Sequence, residues 1–460
     1  MPAMHVPRGR SESVWIRRSD PDLPASPVEG PTARERSARE TALDDEYSHV
    51  ACQMGRGPLS IPAMIDTAIQ QAPSGAAAVP SIRVAHVAEL LETSVSGVDR
   101  TVAGLVTHLE RFGVMPEVWH VSNRYSSVQE RRSGSVPVFE LPAYQRMRSA
   151  VSRLPRSTRR FIRERRHQID MLHLHSVFIP DNAWVAREAR LPYVITPHGG
   201  YAAEVIHGRN WAAKTLWMRM VERKYVGNAS LIHAVSPREL DELRARFRAR
   251  SFVYAPNAID LPTTPVAPGE RMVGQRRRVV FLGRLAVEHK GLDVLVEGYA
   301  RFLRNEADVD AELIVAGPDF RSGLARLQRL AASLFPEDGP LFLGPVFGRD
   351  KDALLTSAYV FVHTSRWEGM PYAVLEALAT GCPVLVTPAT NLGGFVEEYG
   401  AGQVVDGTPE GISDGLKRLL GLSPEEYGQM CLSARRLAEE RFTWPTVARE
   451  IWTAYRTLIG

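Results

Sequence analysis

With 460 residues, 44% of them apolar, the chain is long enough to bury two or three cores. A formal charge of +4 is too small for this length to mark a nucleic-acid surface across the whole protein. Three scattered cysteines, Cys52, Cys382 and Cys431, exclude a disulfide framework and a cysteine metal site. With no run of 18 apolar residues and no apolar N-terminal segment, neither a membrane span nor a secretory signal is predicted, and a reducing cytoplasm is the expected setting.

Residues 1–80 are rich in Pro, Ser, Arg and Glu, lack a helical or strand period, and read as a disordered extension. Met54 and Met64 leave a later start open. Order is expected from Ile82, where IRVAHVAEL reads as a buried strand, followed by a polar turn from Glu92 to Gly97, a helix over 98–112 and the strand PEVWHVS. Further short apolar runs, MLHLHS, YVITPHGG, ASLIHAVS and FVYAPNAI, alternate with helical patterns at 180–190, 211–226 and 236–247. That alternation predicts a parallel sheet covered on both faces. Ligands gather at the carboxyl ends of such strands, which is where His173, His175, His198 and Ser236 fall. His173 and His175 read as hydrogen-bonded structural residues, whereas Pro197, Gly199 and Gly200 set His198 in an irregular loop.

Nine arginines crowd the segment Arg146–Arg166, offset only by Glu164. They read as a solvated helix face or as a patch for an anionic membrane or a phosphorylated acceptor. Residues 259–275 are Pro-rich and aperiodic, as expected of a link between domains. The strand–helix pattern then restarts with RVVFLGR, a helix over 291–303, AELIVAG, a helix over 323–334, PLFLGPV, a helix over 351–357, and the stretch Tyr359–Pro388. A last amphipathic helix is expected over 443–458. The fold class is therefore α/β, with two doubly wound parallel sheets in tandem.

The stretch Tyr359–Pro388 carries a strand, a loop with Glu368, a helix with Glu376 and a second strand. Pro371 suits the helix start and Gly381 the position past its end, so free N–H groups and the positive dipole end face the Glu368 loop. On one helix, two acids eight residues apart would be separated by about 12 Å, beyond the ~5–9.5 Å of a glycosidase pair. They are expected instead at different ends of one extended ligand, Glu376 on ribose hydroxyls and Glu368 beyond the phosphates. Arg284 at a strand end and Lys290 at a helix start suit a diphosphate. Taken singly, each of these residues is equally well a surface charge.

The spacing Glu368-x7-Glu376 within SRWEGMPYAVLEALATGCPV resembles the signature of the family 4 retaining glycosyltransferases, which have two facing Rossmann-like domains, the GT-B architecture. FLGR, the Lys290–Gly291 pair, PNAID, TPHGG and SGVDR occur in the family's order, and the resemblance spans 81–460. It implies an acceptor-side domain over 81–258, a linker over 259–275, a nucleotide-sugar domain over 276–442 and a C-terminal helix over 443–460 that packs back across the domains. Arg284 and Lys290 would neutralise the donor diphosphate, and Glu376 would hold the ribose. Glu368, with the N–H groups of Gly369 and Met370 before Pro371, would position the sugar. His198 would contact it near the reacting carbon, and Gly97 would admit donor and acceptor. No cofactor and no metal is expected; the nucleotide-diphosphate sugar is the co-substrate. The acceptor is a glycan or lipid-linked molecule, as in cell-surface polysaccharide or glycolipid synthesis, with the protein in the cytoplasm or at the inner face of the membrane. Ser96 stands where the family has a second glycine, and Asp99 where it often has Glu. A nucleotide-sugar epimerase and a non-catalytic nucleotide-sugar-binding protein are the alternatives.

Overall fold

The computed structural model describes residues 81–88, 96–144, 154–208, 210–262, 266–271, 276–306, 308–336 and 339–459. The extension over 1–80, most of the Glu92–Gly97 turn, and Arg146, Arg148 and Arg153 lie outside them.

Among the described residues, fourteen strands form two sheets. The first comprises β1 (Ile82–Ala88), β2 (Val114–Ser122), β3 (Gln129–Ser133), β4 (Val136–Pro142), β5 (Met171–His175), β6 (Tyr193–Thr196), β7 (Leu231–Ala234) and β8 (Phe252–Tyr254), in the order β3-β4-β2-β1-β5-β6-β7-β8. The second comprises β9 (Arg277–Leu282), β10 (Ala311–Ala316), β11 (Leu341–Gly344), β12 (Val360–His363), β13 (Val384–Val386) and β14 (Gly402–Val404), in the order β11-β10-β9-β12-β13-β14. All pairings are parallel except β3 with β4. The two-sheet α/β architecture matches the expectation, and the central strands are buried on both faces because helices cover them.

The antiparallel pair was not predicted. QERRS is charged and mostly exposed, so no apolar alternation announces β3; it forms because the adjacent edge offers unpaired backbone groups. A second difference lies in the helix expected over 211–226. It runs from Trp211 to Gly227 but widens into a π turn at Met218–Glu222. The turn accompanies the burial of Glu222, whose carboxylate accepts from Tyr201 Oη at 2.7 Å, Trp217 Nε1 at 2.6 Å and Phe178 N at 3.1 Å.

Within 259–275, Arg271 is buried and donates to the carbonyls of Leu355, Thr356, Ala358 and Thr380, which pins that segment to the second sheet's helices. The last helix, Trp444–Ile459, follows β14 and two further helices, Pro409–Leu420 and Pro424–Arg441, yet packs beneath the first sheet. Its Trp444, Val447, Ile451 and Tyr455 join Val84, Leu105, Leu109 and Met171 in one core. Gly104 makes that approach feasible, since a Cβ there would meet the Trp444 ring at 1.7 Å.

In each sheet the strand order reverses once, between β1 and β5 in the first and between β9 and β12 in the second. Crevices form at such reversals, beyond the strand carboxyl ends, so the loops after these strands are where ligand contacts belong.

Candidate active site

In the second domain, β9 leads through Gly283 to Arg284, and a short helix Val287–Lys290 ends at Lys290. Gly291 follows with φ +59°, and a Cβ there would lie 2.2 Å from the Thr364 carbonyl, so only glycine allows this loop to touch the one after β12. Thr364 Oγ1 closes the contact by donating to the carbonyls of Lys290 and Gly291, each at 3.0 Å. Lys290 Nζ is thereby brought onto the Glu368 carboxylate. The predicted pair of cations thus divides. Lys290 is bound to Glu368, whereas Arg284 is exposed, with its guanidinium 4.6 Å from the Phe320 ring centre.

Glu368 is anchored through one oxygen. Oε1 accepts from Lys290 and, at 2.8 Å, from Ser365 Oγ, and lies 3.2 Å from His363 Nε2. Oε2 has no partner among the described residues. Burial acts to raise this group's pKa, but the Lys290 ammonium and the His363 hydrogen bond outweigh it and hold the carboxyl well below the usual range. The loop backbone is fixed as well, because Asn391 Nδ2 donates to the carbonyls of Glu368 at 2.7 Å and Gly369 at 2.9 Å.

The helix Tyr372–Ala379 starts one residue later than the proline reading implied. Pro371 takes the N-cap place and no side chain caps the end. Glu376 faces neither solvent nor empty space. Its Oε1 accepts from Arg100 Nη2 at 2.6 Å and from Lys351 Nζ at 2.5 Å. Burial would raise its pKa, yet Arg100 and Lys351 bring it down to about 2. Arg100 belongs to the first domain's helix Gly97–Leu109, and its guanidinium lies 4.4 Å from the Tyr372 ring centre.

Around that contact the two domains meet closely. Gly97 opens its helix beneath the Ser96 cap, and a Cβ on it would sit 3.4 Å from Tyr372 Cδ2. Thr101 Oγ1 lies 2.9 Å from Tyr372 Oη and 3.1 Å from Asn257 Oδ1, while Asn257 Nδ2 donates to the Met370 carbonyl at 3.0 Å. His198 and Gly199 abut Gly369, where a Cβ would lie 3.0 Å from the His198 carbonyl group; a Cβ on Gly199 would lie 2.8 Å from Gly369 N. These paired glycines let the two loops approach backbone to backbone.

His198 itself has φ +54°, a strained value for a non-glycine residue. The Gly199 amide is held by Glu239 Oε1 at 2.6 Å, and the second oxygen of that buried acid accepts from Val235 N at 2.8 Å. Ser236 serves as N-cap of the helix Pro237–Arg246, accepting from Glu239 N at 3.1 Å. His198 Nε2 lies 3.2 Å from His175 Nδ1, and burial lowers the pKa of His198.

The structure therefore gathers Gly97, His198, Lys290, Glu368, Gly369, Met370, Pro371 and Glu376 along one seam, with Arg284 at the end of β9. Sequence reasoning missed Arg100, Lys351, His363, Ser365, Asn391 and Glu239. Arg100 lies inside the SGVDR motif, but nothing local marks it as a partner for an acid 276 residues on.

Two family models match the chain: "Glycosyltransferase Family 4" over residues 95–262 and "Glycosyl transferases group 1" over 276–421. A D-inositol 3-phosphate glycosyltransferase of Corynebacterium urealyticum is 27% identical over 322 residues, covering 65% of this chain and 74% of that protein. A phosphatidyl-myo-inositol mannosyltransferase of Mycobacterium tuberculosis is 25% identical over 304 residues, covering 63% and 74%. Among solved structures, Anabaena HepE in complex with UDP and glucose superposes with a TM-score of 0.62 at 17% identity, over 82% of this chain and 100% of that one. That likeness extends the two-sheet description to the GT-B fold. With a matching family model on each of the two domains, this chain belongs to the family 4 glycosyltransferases.

Proposed function

We propose that the protein is a retaining, metal-independent transferase that moves a sugar from a nucleoside diphosphate to a glycan or lipid-linked acceptor. The observation that carries this reading is Glu368, ionised, anchored through Oε1 and open at Oε2, beside Lys290 and beyond the reversal point of the second sheet. A carboxylate held in this way accepts a sugar hydroxyl, while the neighbouring ammonium meets the diphosphate.

In this scheme Arg284 swings from Phe320 onto the diphosphate and Lys290 shares its charge between Glu368 and the phosphates. Glu376 takes the ribose hydroxyls through Oε2, with Arg100 and Lys351 keeping Oε1. The N–H groups of Gly369 and Met370 and the open helix end at Pro371 approach the sugar and phosphates. As the bond from the anomeric carbon to the phosphate oxygen breaks, the two cations stabilise the departing diphosphate, which takes the acceptor's proton on the face it leaves. That geometry retains configuration and lets side-chain cations do the work of a metal. The names of the relatives, which include inositol phosphate and phosphatidylinositol glycosyltransferases, favour an acceptor with a phosphorylated or lipid-linked polyol.

The test is incubation with UDP-, GDP- and ADP-linked sugars, with and without a chelator, against polyol phosphate and lipid acceptors. Expected are release of nucleoside diphosphate, an unchanged anomeric configuration by proton NMR, and loss of turnover in Glu368→Ala. Turnover unaffected by that substitution, or an inverted product, overturns the mechanism.

Placement in the cytoplasm, with peripheral contact to an anionic membrane through Arg146–Arg166, belongs to the same proposal. Part of that cluster is committed within the protein, since Arg163 pairs with Glu188 at 2.5 Å and Arg165 with Glu117 at 2.7 Å. Arg156 and Arg159, together with Arg160, which pairs with Glu164 at 2.8 Å, line a surface depression as the residues that would meet lipid headgroups. Among the described residues no helix is long and apolar enough to cross a membrane. Sedimentation with anionic liposomes at low salt is expected, and its absence removes this part.

A further inference from the structure

Beneath the His198 loop lies a cluster of imidazoles that the transfer scheme does not use. His86 on β1, His173 and His175 on β5, and His233 on β7 are all buried. Register explains the clustering: His86 lies opposite His173, and His175 opposite Thr196. Residues 173 and 175 share one face of β5 because strand side chains alternate. Burial lowers the pKa of every one of these rings, to about 3 for His86 and about 4 for His233, so each is a neutral imidazole with one N–H and one lone pair.

Neutral rings in a chain fix one another's tautomer. His233 Nε2 lies 2.8 Å from the Ala255 carbonyl, which can only accept, so the proton sits on Nε2. His233 Nδ1 then accepts from Thr196 Oγ1 at 2.8 Å, and Thr196 accepts from His173 Nε2 at 2.6 Å. His173 Nδ1 closes the chain by accepting from Tyr455 Oη at 2.6 Å. Both of these histidines carry their proton on Nε2.

A second chain runs to the site. His86 Nδ1 lies 3.2 Å from His175 Nε2, and His175 Nδ1 lies 3.2 Å from His198 Nε2. His86 Nε2 is buried with no partner, and the His198 ring is bonded through Nε2, to His175, which leaves Nδ1 for the site. Two directions of donation are open. The one with all three protons on Nε2 leaves the buried His86 N–H without an acceptor, but it uses the tautomer a free histidine side chain favours and the one the first chain is forced into. It also turns the lone-pair end of the chain toward the site, which suits a sugar carbon gaining positive charge as its bond to phosphate breaks.

We propose that His175 and His86 are positioning residues that hold His198 with its proton on Nε2, so that Nδ1 meets the donor sugar as a hydrogen-bond acceptor. This rests on the transferase reading for the identity of the ligand, but the state of the ring does not. A competing use of the cluster is a metal site, because one nitrogen each from His86, His173 and His175 lies within 4.8 Å of the others. Every one of those rings already shares hydrogen bonds, and among the described residues no carboxylate joins the group to offset a buried dication.

The experiment is two-bond proton–nitrogen NMR on protein labelled at histidine ring nitrogens, with His198 assigned from its loss in His198→Asn. A protonated Nε2 and an unprotonated Nδ1 are expected in the wild type. His175→Leu removes the acceptor and is expected to mix the tautomers and lower kcat about tenfold with little change in KM. His175→Asn, whose Oδ1 can stand near the place of Nδ1, is expected to restore both, which separates positioning from a folding defect. A proton on Nδ1 in the wild type, an unchanged tautomer in His175→Leu, or stoichiometric metal in elemental analysis overturns the proposal. If no transfer is found with any donor, the NMR result still decides the tautomer.

Discussion

The two halves of the site use opposite electrostatics. In the second domain both acids are ionised and gripped by cations, Glu368 by Lys290 and Glu376 by Arg100 and Lys351. In the first domain the buried polar groups beneath the His198 loop are neutral imidazoles joined to one another, to Thr196 and to Tyr455. Both solutions satisfy buried polar atoms, but they respond differently to their surroundings. Ion pairs can exchange partners when a charged ligand arrives, so the charged half suits a diphosphate that departs. A chain of neutral rings holds a direction without a net charge, which suits a sugar whose hydroxyls bind through geometry.

Acid should separate the halves most strongly. Unfolded histidines take up protons as pH falls below about 6.5, while His86 and His233 stay neutral down to about 3 and 4. A lowered folded pKa means stability present above 6.5 and lost as pH falls toward the folded value, at about 1.4 kcal/mol per histidine per pH unit. Glu376 enters later, between the ordinary carboxyl value of 4.5 and about 2. Melting curves should therefore drop between pH 6.5 and 4.5 equally in wild type and in Glu376→Gln. Glu239, pushed up to about 7 by burial, takes up a proton in the folded state over the same interval and offsets about one histidine. With several histidines buried neutral the drop should persist, and a flat curve would mean that they are charged in the folded state.

Lys290→Ala comes next. It leaves Glu368 buried without its ammonium and, in the proposed scheme, deprives the diphosphate of a cation, so kcat/KM should fall by about 10²–10³. Steady-state release of nucleoside diphosphate checks this, with a smaller loss expected in Arg284→Ala because Arg284 is exposed and not built into the acid's environment.

Gly104→Ala probes how the halves are tied. The added Cβ overlaps Trp444, so the last helix must shift at a cost of about 1–3 kcal/mol. Chemical denaturation measures it. The seam residues are untouched, so any loss of turnover that exceeds the loss of folded protein would show that the helix also sets the spacing of the domains.

The smallest effect is expected at Glu376, where in the proposed scheme Gln keeps a hydrogen bond to ribose but loses the charge that holds Arg100 and Lys351. KM for the donor should rise about tenfold with kcat little changed. Arg100→Ala should act in the same direction. An unchanged KM in both would remove Glu376 from the nucleotide side of the site.

What could be read locally was read correctly in outline. Apolar runs ending in polar residues located the central strands, and Pro371 with Gly381 bounded the Glu376 helix to within a residue. The strand β3 escaped because an edge strand needs no buried face, and the π turn escaped because it depends on Glu222 meeting Tyr201, Trp217 and Phe178. Arg100, Lys351, Asn391 and Glu239 are ordinary polar residues in sequence, and their roles come entirely from partners in other elements.

The amino-acid sequence alone determined the alternation of strands and helices and the chemical types on the two strand-end loops, because both depend on residues a few positions apart. Only the tertiary structure decided which oxygen of each acid is occupied, which arginine crosses the seam and which histidines stand within hydrogen-bond reach of one another. Those depend on contacts between residues dozens to hundreds of positions apart, brought together by the strand reversals of two sheets and closed where glycine admits one backbone against another.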